Sequence, residues 1–270
     1  MHPSIQPQRA IRELPDELIS QIAAGEVVER PASVVRELVD NALDAGSTHI
    51  TVRLLSGGVR LISVEDNGVG IPADELPIAL KRHATSKIAN LDELESVGTM
   101  GFRGEALAAI HSVSELSLLS RTAQQDHAMR LDSRSGELQA AARALGTTVE
   151  VKELFYSTPA RRKFLKTDAT ELAHCVEAVR RHALSRPQVG FEIWHEGKLV
   201  EQWRSQTGNA ALDRRLSDVL GAEFLQNSVA VAFTQGNLQV YGRAGIPDAA
   251  RARADHQFLY VNGQIGRAHV

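Results

Sequence analysis

The sequence predicts an α+β protein, and three stretches carry that prediction. Arg36 to Gly46, RELVDNALDAG, has helical spacing. At roughly 100° per residue, Val35, Leu38, Val39 and Ala42 fall on one side, and Glu37, Asp40, Asn41 and Asp44 on the other. The apolar alternation Ile50, Val52, Leu54, a Ser56-Gly57-Gly58 turn and the run Val59 to Val64 read as a β-hairpin. A second hairpin follows much later, Gly190 to His195 and Lys198 to Trp203 across Glu196-Gly197, just after a long amphipathic helix from Asp168 to about Leu184.

Composition narrows the class. With 270 residues and 43% hydrophobic content, the chain can build one large core or two smaller ones. A net charge of −3 gives no global attraction to nucleic acid or membrane, so any DNA contact must come from a local patch. The single cysteine, Cys175, excludes an internal disulfide and fits a reducing compartment. The start MHPSIQPQRA has no apolar signal core, and no run approaches the ~20 residues needed to cross a bilayer. A cytoplasmic location with no membrane partner is expected.

In chain order, residues 1–14 read as a loose polar arm. Leu18, Ile19, Ile22 and Ala23 have helical spacing after Pro15, and Gly25 lies near the end of that helix. Arg30-Pro31 opens the central helix. Pro72 to His83 reads as a short helix, Glu105 to His111 as another, and Ser114 to Ser120, His127 to Leu131 and Thr147 to Leu154 as strands. Ser205-Gln206-Thr207-Gly208-Asn209 is the best linker, followed by a helix from Ala211 to Leu220 and strands near Ser228 to Phe233, Leu238 to Ala244 and Gln257 to Val261.

Four motifs point to a nucleotide. The polar side of the central helix gathers three carboxylates and an amide, which repel unless a cation or a set of donors sits among them. A carboxylate can take a proton from water, and an amide oxygen is a hard ligand that Mg²⁺ accepts. Glu65-Asp66-Asn67-Gly68-Val69-Gly70 places an acid at a strand end before two glycines, so that backbone can approach a flat ligand whose amino group the acid accepts. Thr85-Ser86-Lys87 offers two hydroxyls and an ammonium, typical phosphate donors. Gly98 to Gly104, with Gly101, Phe102 and Arg103, opens a helix as an anion cradle would. It lacks the P-loop pattern and follows no strand, which excludes a P-loop or Rossmann site. Arg161, Arg162, Lys163 and Lys166 form the most basic stretch, equally compatible with phosphate contact and with a solvated helix start.

The blocks QIAAGEVVERPASVVRELVDNALDAG, EDNGVGI, RHATSK, GFRGEAL and LFYSTPARRKFLK together resemble, in order and spacing, the MutL family of DNA mismatch-repair proteins. That family stands within the wider GHKL ATPase group of gyrase B, the ninety-kilodalton heat-shock chaperone and sensor histidine kinases. The resemblance runs from Leu14 to Gly263. It implies a GHKL-type (Bergerat) two-layer α/β sandwich with a mixed, mainly antiparallel sheet over residues 15–205, then a truncated β-α-β transducer-like domain over 206–264. It also implies ATP and Mg²⁺ as cofactors and a catalytic base at Glu37. Asn41 would be the metal ligand and Asp66 the acceptor for the adenine amino group. Gly68 and Gly70 would give the base room, and Thr147 would lie near it. Thr85, Ser86, Lys87 and the loop Gly101, Phe102, Arg103, Gly104 would hold the phosphates, the segment between acting as a lid.

The function so implied is a slowly hydrolysing switch whose ATP-driven homodimer clamps DNA. It would link the mismatch-recognition protein MutS to a downstream nicking endonuclease and helicase. The residues alone leave open a non-hydrolysing, nucleotide-bound module that binds DNA or protein. Asp40 stands where the family more often shows Glu. The family's second domain continues further and supplies a lysine to the γ-phosphate, so weak hydrolysis is expected of this chain. Where the family has VNGR, this chain has VNG followed by Gln264, and residues 265–270, IGRAHV, are what a common sequencing adapter encodes when translated in frame. A non-native tail is therefore expected. Reading the coding DNA checks this, and any other nucleotide sequence there refutes it.

Overall fold

A computed structural model describes residues 15, 19, 24–25, 27–87, 104–249 and 257–266. The loose arm, most of the expected helix after Pro15, and the 88–103 segment that includes the lid lie outside these residues. The central helix, α1 (Pro31–Asp44), begins at Pro31, where proline's missing N–H removes no hydrogen bond. It closes where the Ala45 N–H reaches Asn41 O and Gly46 turns to φ +75°, in the left-handed region that glycine tolerates.

Beyond α1 the chain enters β1 (His49–Leu55) and returns as β2 (Leu61–Asp66), antiparallel, with Ile50 opposite Asp66. The remaining strands of this sheet are β3 (Glu115–Arg121), β4 (Ala128–Asp132), β5 (Leu138–Ala141), β6 (Gly146–Lys152), β7 (Gly190–His195) and β8 (Lys198–Trp203). Their spatial order is β5-β4-β3-β6-β2-β1-β7-β8. Every pairing is antiparallel except β1 with β7, so the sheet is mixed and mainly antiparallel.

The connections carry α2 (Leu76–Ala79), α3 (Ala106–Ser112), α4 (Pro159–Arg162) and the long α5 (Asp168–Ser185). Thr167 caps α5, its hydroxyl accepting the Thr170 N–H. Helices α1 and α5 pack against each other and against the sheet. Val34, Val35, Leu38, Val39 and Ala42 of α1 are buried with Ile50, Val52, Leu54, Ile62 and Val64 of the first hairpin and Cys175 and Val179 of α5. That is the core.

Two expectations change. The helix foreseen over Pro72 to His83 shrinks to the four residues of α2, preceded by a turn in which Glu75 and Leu76 both donate to Pro72 O. Strand β5, LQAA, was not foreseen, because an exposed edge strand of this composition has no apolar alternation to reveal it.

After the sheet come α6 (Ala211–Leu220), α7 (Ala222–Gln226), an antiparallel pair β9 (Ser228–Gln235) and β10 (Leu238–Gly245), and a short pair β11 (Leu259–Val261) and β12 (Gln264–Gly266). The expected non-native tail begins inside β12, and residues 267–270 lie outside the described residues.

Arg215 on α6 ties this region to the sheet domain. It is wholly buried, and its guanidinium donates to Ala183 O (3.2 Å), Pro187 O (2.9 Å), Val189 O (2.7 Å) and Arg204 O (2.9 Å). These carbonyls lie around the C-terminus of α5, where the helix dipole favours a cation. Replacing Arg215 by Met takes the guanidinium donors from Val189 O and Arg204 O, while Ala183 O and Pro187 O keep the Arg186 and Gln206 N–H. It is expected to destabilise the chain by about 2–3 kcal/mol in urea unfolding, from the cost of unpaired buried polar groups.

Candidate active site

One cleft of about 1200 Å³ opens between α1, the end of β2, the 84–87 segment and the start of α3. It is large enough for a nucleotide. Glu37, Asn41 and Asp44 enter it from α1, Asp66 and Gly70 from the end of β2, Thr85, Ser86 and Lys87 from the following segment, Gly104 from the loop before α3, and Thr147 from β6. Of the nucleotide-motif residues singled out in the sequence, these share one cavity, while Asp40 and Gly68 do not line it. Gly101, Phe102 and Arg103 lie outside the described residues.

Asp66 is set by β2, whose register against β1 and β6 leaves its side chain in the interior, 8% exposed. Its Oδ1 accepts from Gly68 N–H (2.8 Å), Ser47 Oγ (3.1 Å) and Thr147 N–H (3.4 Å). Among the described residues all these bonds fall on Oδ1, which leaves Oδ2 for a donor in the cleft. Burial pushes the carboxyl above the ordinary aspartate value, and those hydrogen bonds and nearby Arg143 only partly offset it. Behind it, Arg143 Nη2 donates to Asp66 O and Thr147 O, both at 2.6 Å, fastening β2 to β6.

The glycines also meet a packing demand that the sequence did not show. A Cβ on Gly68 would lie 2.6 Å from Ala45 O, and one on Gly70, at φ +78°, would lie 2.3 Å from Arg121 O. Both positions are demanded by backbone packed against backbone, Gly68 at the end of α1 and Gly70 at the end of β3. The turn is also stitched down: Asn67 Oδ1 accepts from Thr48 and His49 N–H, each at 2.9 Å, and the Ile71 N–H donates to Ser120 Oγ at 2.7 Å. Ser120 in turn bonds Thr147 Oγ1 at 2.9 Å. Gly104, at φ +63°, packs its backbone on Ala84, which sets the hydroxyl-bearing segment beside the start of α3.

On α1, Glu37 and Asn41 are one turn apart on the cleft side. Glu37 Oε1 accepts from Arg36 Nη2 at 3.0 Å, and the Glu37 side chain is 19% exposed. Lys87 Nζ donates to Asn41 Oδ1 at 3.0 Å and to Asp44 Oδ2. The ammonium thus supplies the cation that the crowded oxygens require. Asp40 departs from expectation. It is on the flank of α1, buried against α5, with Oδ1 2.8 Å from His182 Nε2, and it does not face the cleft. Helical angle alone put it with the polar side; the packing of α5 took it out.

Ser47, Ser120, Arg143 and His182 are the contributors that sequence reasoning missed. Each acts through tertiary contacts with residues far along the chain, and none has a local signal. Among the described residues no group of three His, Cys, Asp or Glu forms a metal site. The one or two protein oxygens at Asn41 and Asp44 fit Mg²⁺ that is otherwise held by phosphate and water.

Sheet, helices and cleft define a nucleotide-binding protein of the GHKL ATPase fold. Residues 29–157 match the family of histidine kinase-, DNA gyrase B-, and HSP90-like ATPases. The chain is similar to the Aquifex aeolicus MutL ATPase domain complexed with ADP, at 30% identity and TM-score 0.60, covering 77% of this chain and 73% of that one. It is also similar to the N-terminal domain of a DNA repair protein, at 26% identity and TM-score 0.75, covering 92% and 78%. Among curated proteins, the DNA mismatch repair protein MutL of Ralstonia nicotianae is 58% identical over 96% of this chain and 40% of its own length. That of Herminiimonas arsenicoxydans is 52% identical over 99% and 44%. The chain belongs to the MutL family, and it spans about two fifths of the length of these curated relatives.

The raised Asp66 value has a sign. Below pH 3.8 the group is neutral folded or unfolded and costs nothing; as pH rises above 3.8, the unfolded chain ionises first and the fold loses stability. Asp66→Asn is therefore expected to raise the thermal midpoint of the nucleotide-free protein near neutral pH, with the gain vanishing in acid. A pH series of melting curves checks it.

Proposed function

We propose that this chain binds Mg-ATP in the cleft and hydrolyses it slowly, as the nucleotide switch of a DNA mismatch-repair protein. The observation that carries the reading is that Glu37 and Asn41, one turn apart on α1, open onto the same cavity as Asp66. Recognition of the base falls to Asp66, whose open Oδ2 accepts the adenine amino group. Thr147 holds that carboxylate through its N–H, and its hydroxyl is fixed by Ser120.

Asn41 is the oxygen ligand for Mg²⁺, which when bound neutralises phosphate charge. Thr85, Ser86 and Lys87 grip the phosphates with Gly101, Phe102, Arg103 and Gly104, and Lys87 exchanges Asn41 and Asp44 for phosphate oxygens. Glu37 accepts a proton from the attacking water. Arg36 occupies Oε1, so Oε2 faces the reaction. ATP binding then favours a homodimer that clamps DNA, and hydrolysis opens it. The mismatch-recognition protein MutS would act before this switch, and a nicking endonuclease and a helicase after it. The resemblance to MutL proteins supports these partners, and the names of the relatives support the setting in DNA mismatch repair. No helix among the described residues is long and apolar enough to cross a membrane.

Glu37→Ala is expected to keep nucleotide affinity and to lower phosphate release by about 10² or more, since only the proton acceptor is removed. Mg-ATP and a non-hydrolysable analogue, titrated in parallel with self-association followed, provide the measurement. Normal turnover in Glu37→Ala would exclude Glu37 as the base.

A further inference from the structure

His182 lies near the C-terminal end of α5 and belongs to none of the nucleotide motifs. It is 3% exposed, and each ring nitrogen meets an oxygen: Nδ1 is 2.8 Å from Ala178 O, and Nε2 is 2.8 Å from Asp40 Oδ1. A carbonyl only accepts, so Nδ1 carries hydrogen. Nε2 then faces a carboxyl group, and a hydrogen must lie between them, donated from whichever side holds it. The contact is a buried bond that takes a proton to make, joining two helices through residues 142 positions apart in sequence.

Its position on α1 gives it consequence. Asp40 follows Glu37 by three residues and precedes Asn41 by one, so it sits about 60° around the helix from Glu37 and about 100° from Asn41. The apolar stripe Val34, Val35, Leu38, Val39 and Ala42 fixes α1 on the sheet, but such packing is non-directional and tolerates small rotations. A rotation of roughly 20° about an axis ~6 Å from a side-chain tip moves that tip by about 2 Å. A short hydrogen bond on the flank beside the cleft adds a directional restraint against that rotation to the packing of the apolar stripe.

We infer that Asp40 and His182 are positioning residues for the nucleotide site: their buried hydrogen bond sets the rotation of α1 and so aims Asn41 and Glu37 at the cleft. This rests on the reading of Asn41 as a Mg²⁺ ligand and Glu37 as the base. Outer partners of this kind commonly govern metal affinity through the ligand they orient.

The test uses the whole chain and reads binding of a fluorescent ATP analogue with Mg²⁺ and with EDTA. Affinity in EDTA reports base recognition through Asp66, and the gain on adding Mg²⁺ reports Asn41. Asp40→Ala and His182→Ala are each expected to leave the EDTA affinity within about twofold and to reduce the Mg²⁺ gain by about 10-fold. The double variant should do no worse than either single one. Asp40→Asn should restore the gain, because its Nδ2–H can donate to Nε2 of a neutral His182. A loss of affinity in EDTA as large as that in Mg²⁺, with lowered melting temperature, would mark the pair as merely structural and overturn the inference. So would an unchanged Mg²⁺ gain in Asp40→Ala. Asn41→Ala is the control. If it too keeps the full gain, the reading of the metal ligand fails; if it loses the gain while Asp40→Ala does not, only the positioning role fails.

Discussion

The burial of one side of α1 is the constraint on which everything else rests. Five aliphatic side chains of that helix are at most 3% exposed, and each contributes roughly 1.5–3 kcal/mol when fully buried, alanine less. No local preference of Glu37, Asn41 or Asp44 competes with that sum. These polar residues go where the apolar ones leave them, at the mouth of a cleft and close enough together to need positive charge. Lys87 and Arg36 provide it.

A second constraint acts at the far wall. The acid that begins the Asp-x-Gly-x-Gly turn is held by three bonds to a single oxygen, and the turn is pressed against the ends of α1 and β3 so tightly that a methyl group would collide with backbone. Rigidity here leaves one carboxylate oxygen available in a partly dehydrated site. The burial that leaves this oxygen in a partly dehydrated site also makes the ionised group unfavourable, so stability is given up at the residue proposed to recognise the base.

Helix α5 links the two regions of the chain. Its middle closes the core, Arg215 from α6 donates to its Ala183 O and to three carbonyls beyond its end, and His182 near the same end reaches Asp40. The contact to α6 through the buried guanidinium of Arg215 and the contact to α1 through the buried imidazole of His182 thus fall within one turn of the same helix.

The sequence by itself determined the α+β class, both hairpins, α1 and α5, and most of the polar motif residues that line the cleft. It could do so because period, turn chemistry and motif order are local properties of the chain. Only the tertiary structure decided that Asp40 turns from the cleft to His182, and that Gly68 and Gly70 are required by neighbouring backbone. The same holds for the gathering of Ser47, Ser120 and Arg143 around Asp66, and for the pairing of the unpatterned strand β5. Each of those depends on which surfaces meet, and a buried hydrogen bond between residues more than a hundred positions apart leaves no period or spacing in either segment.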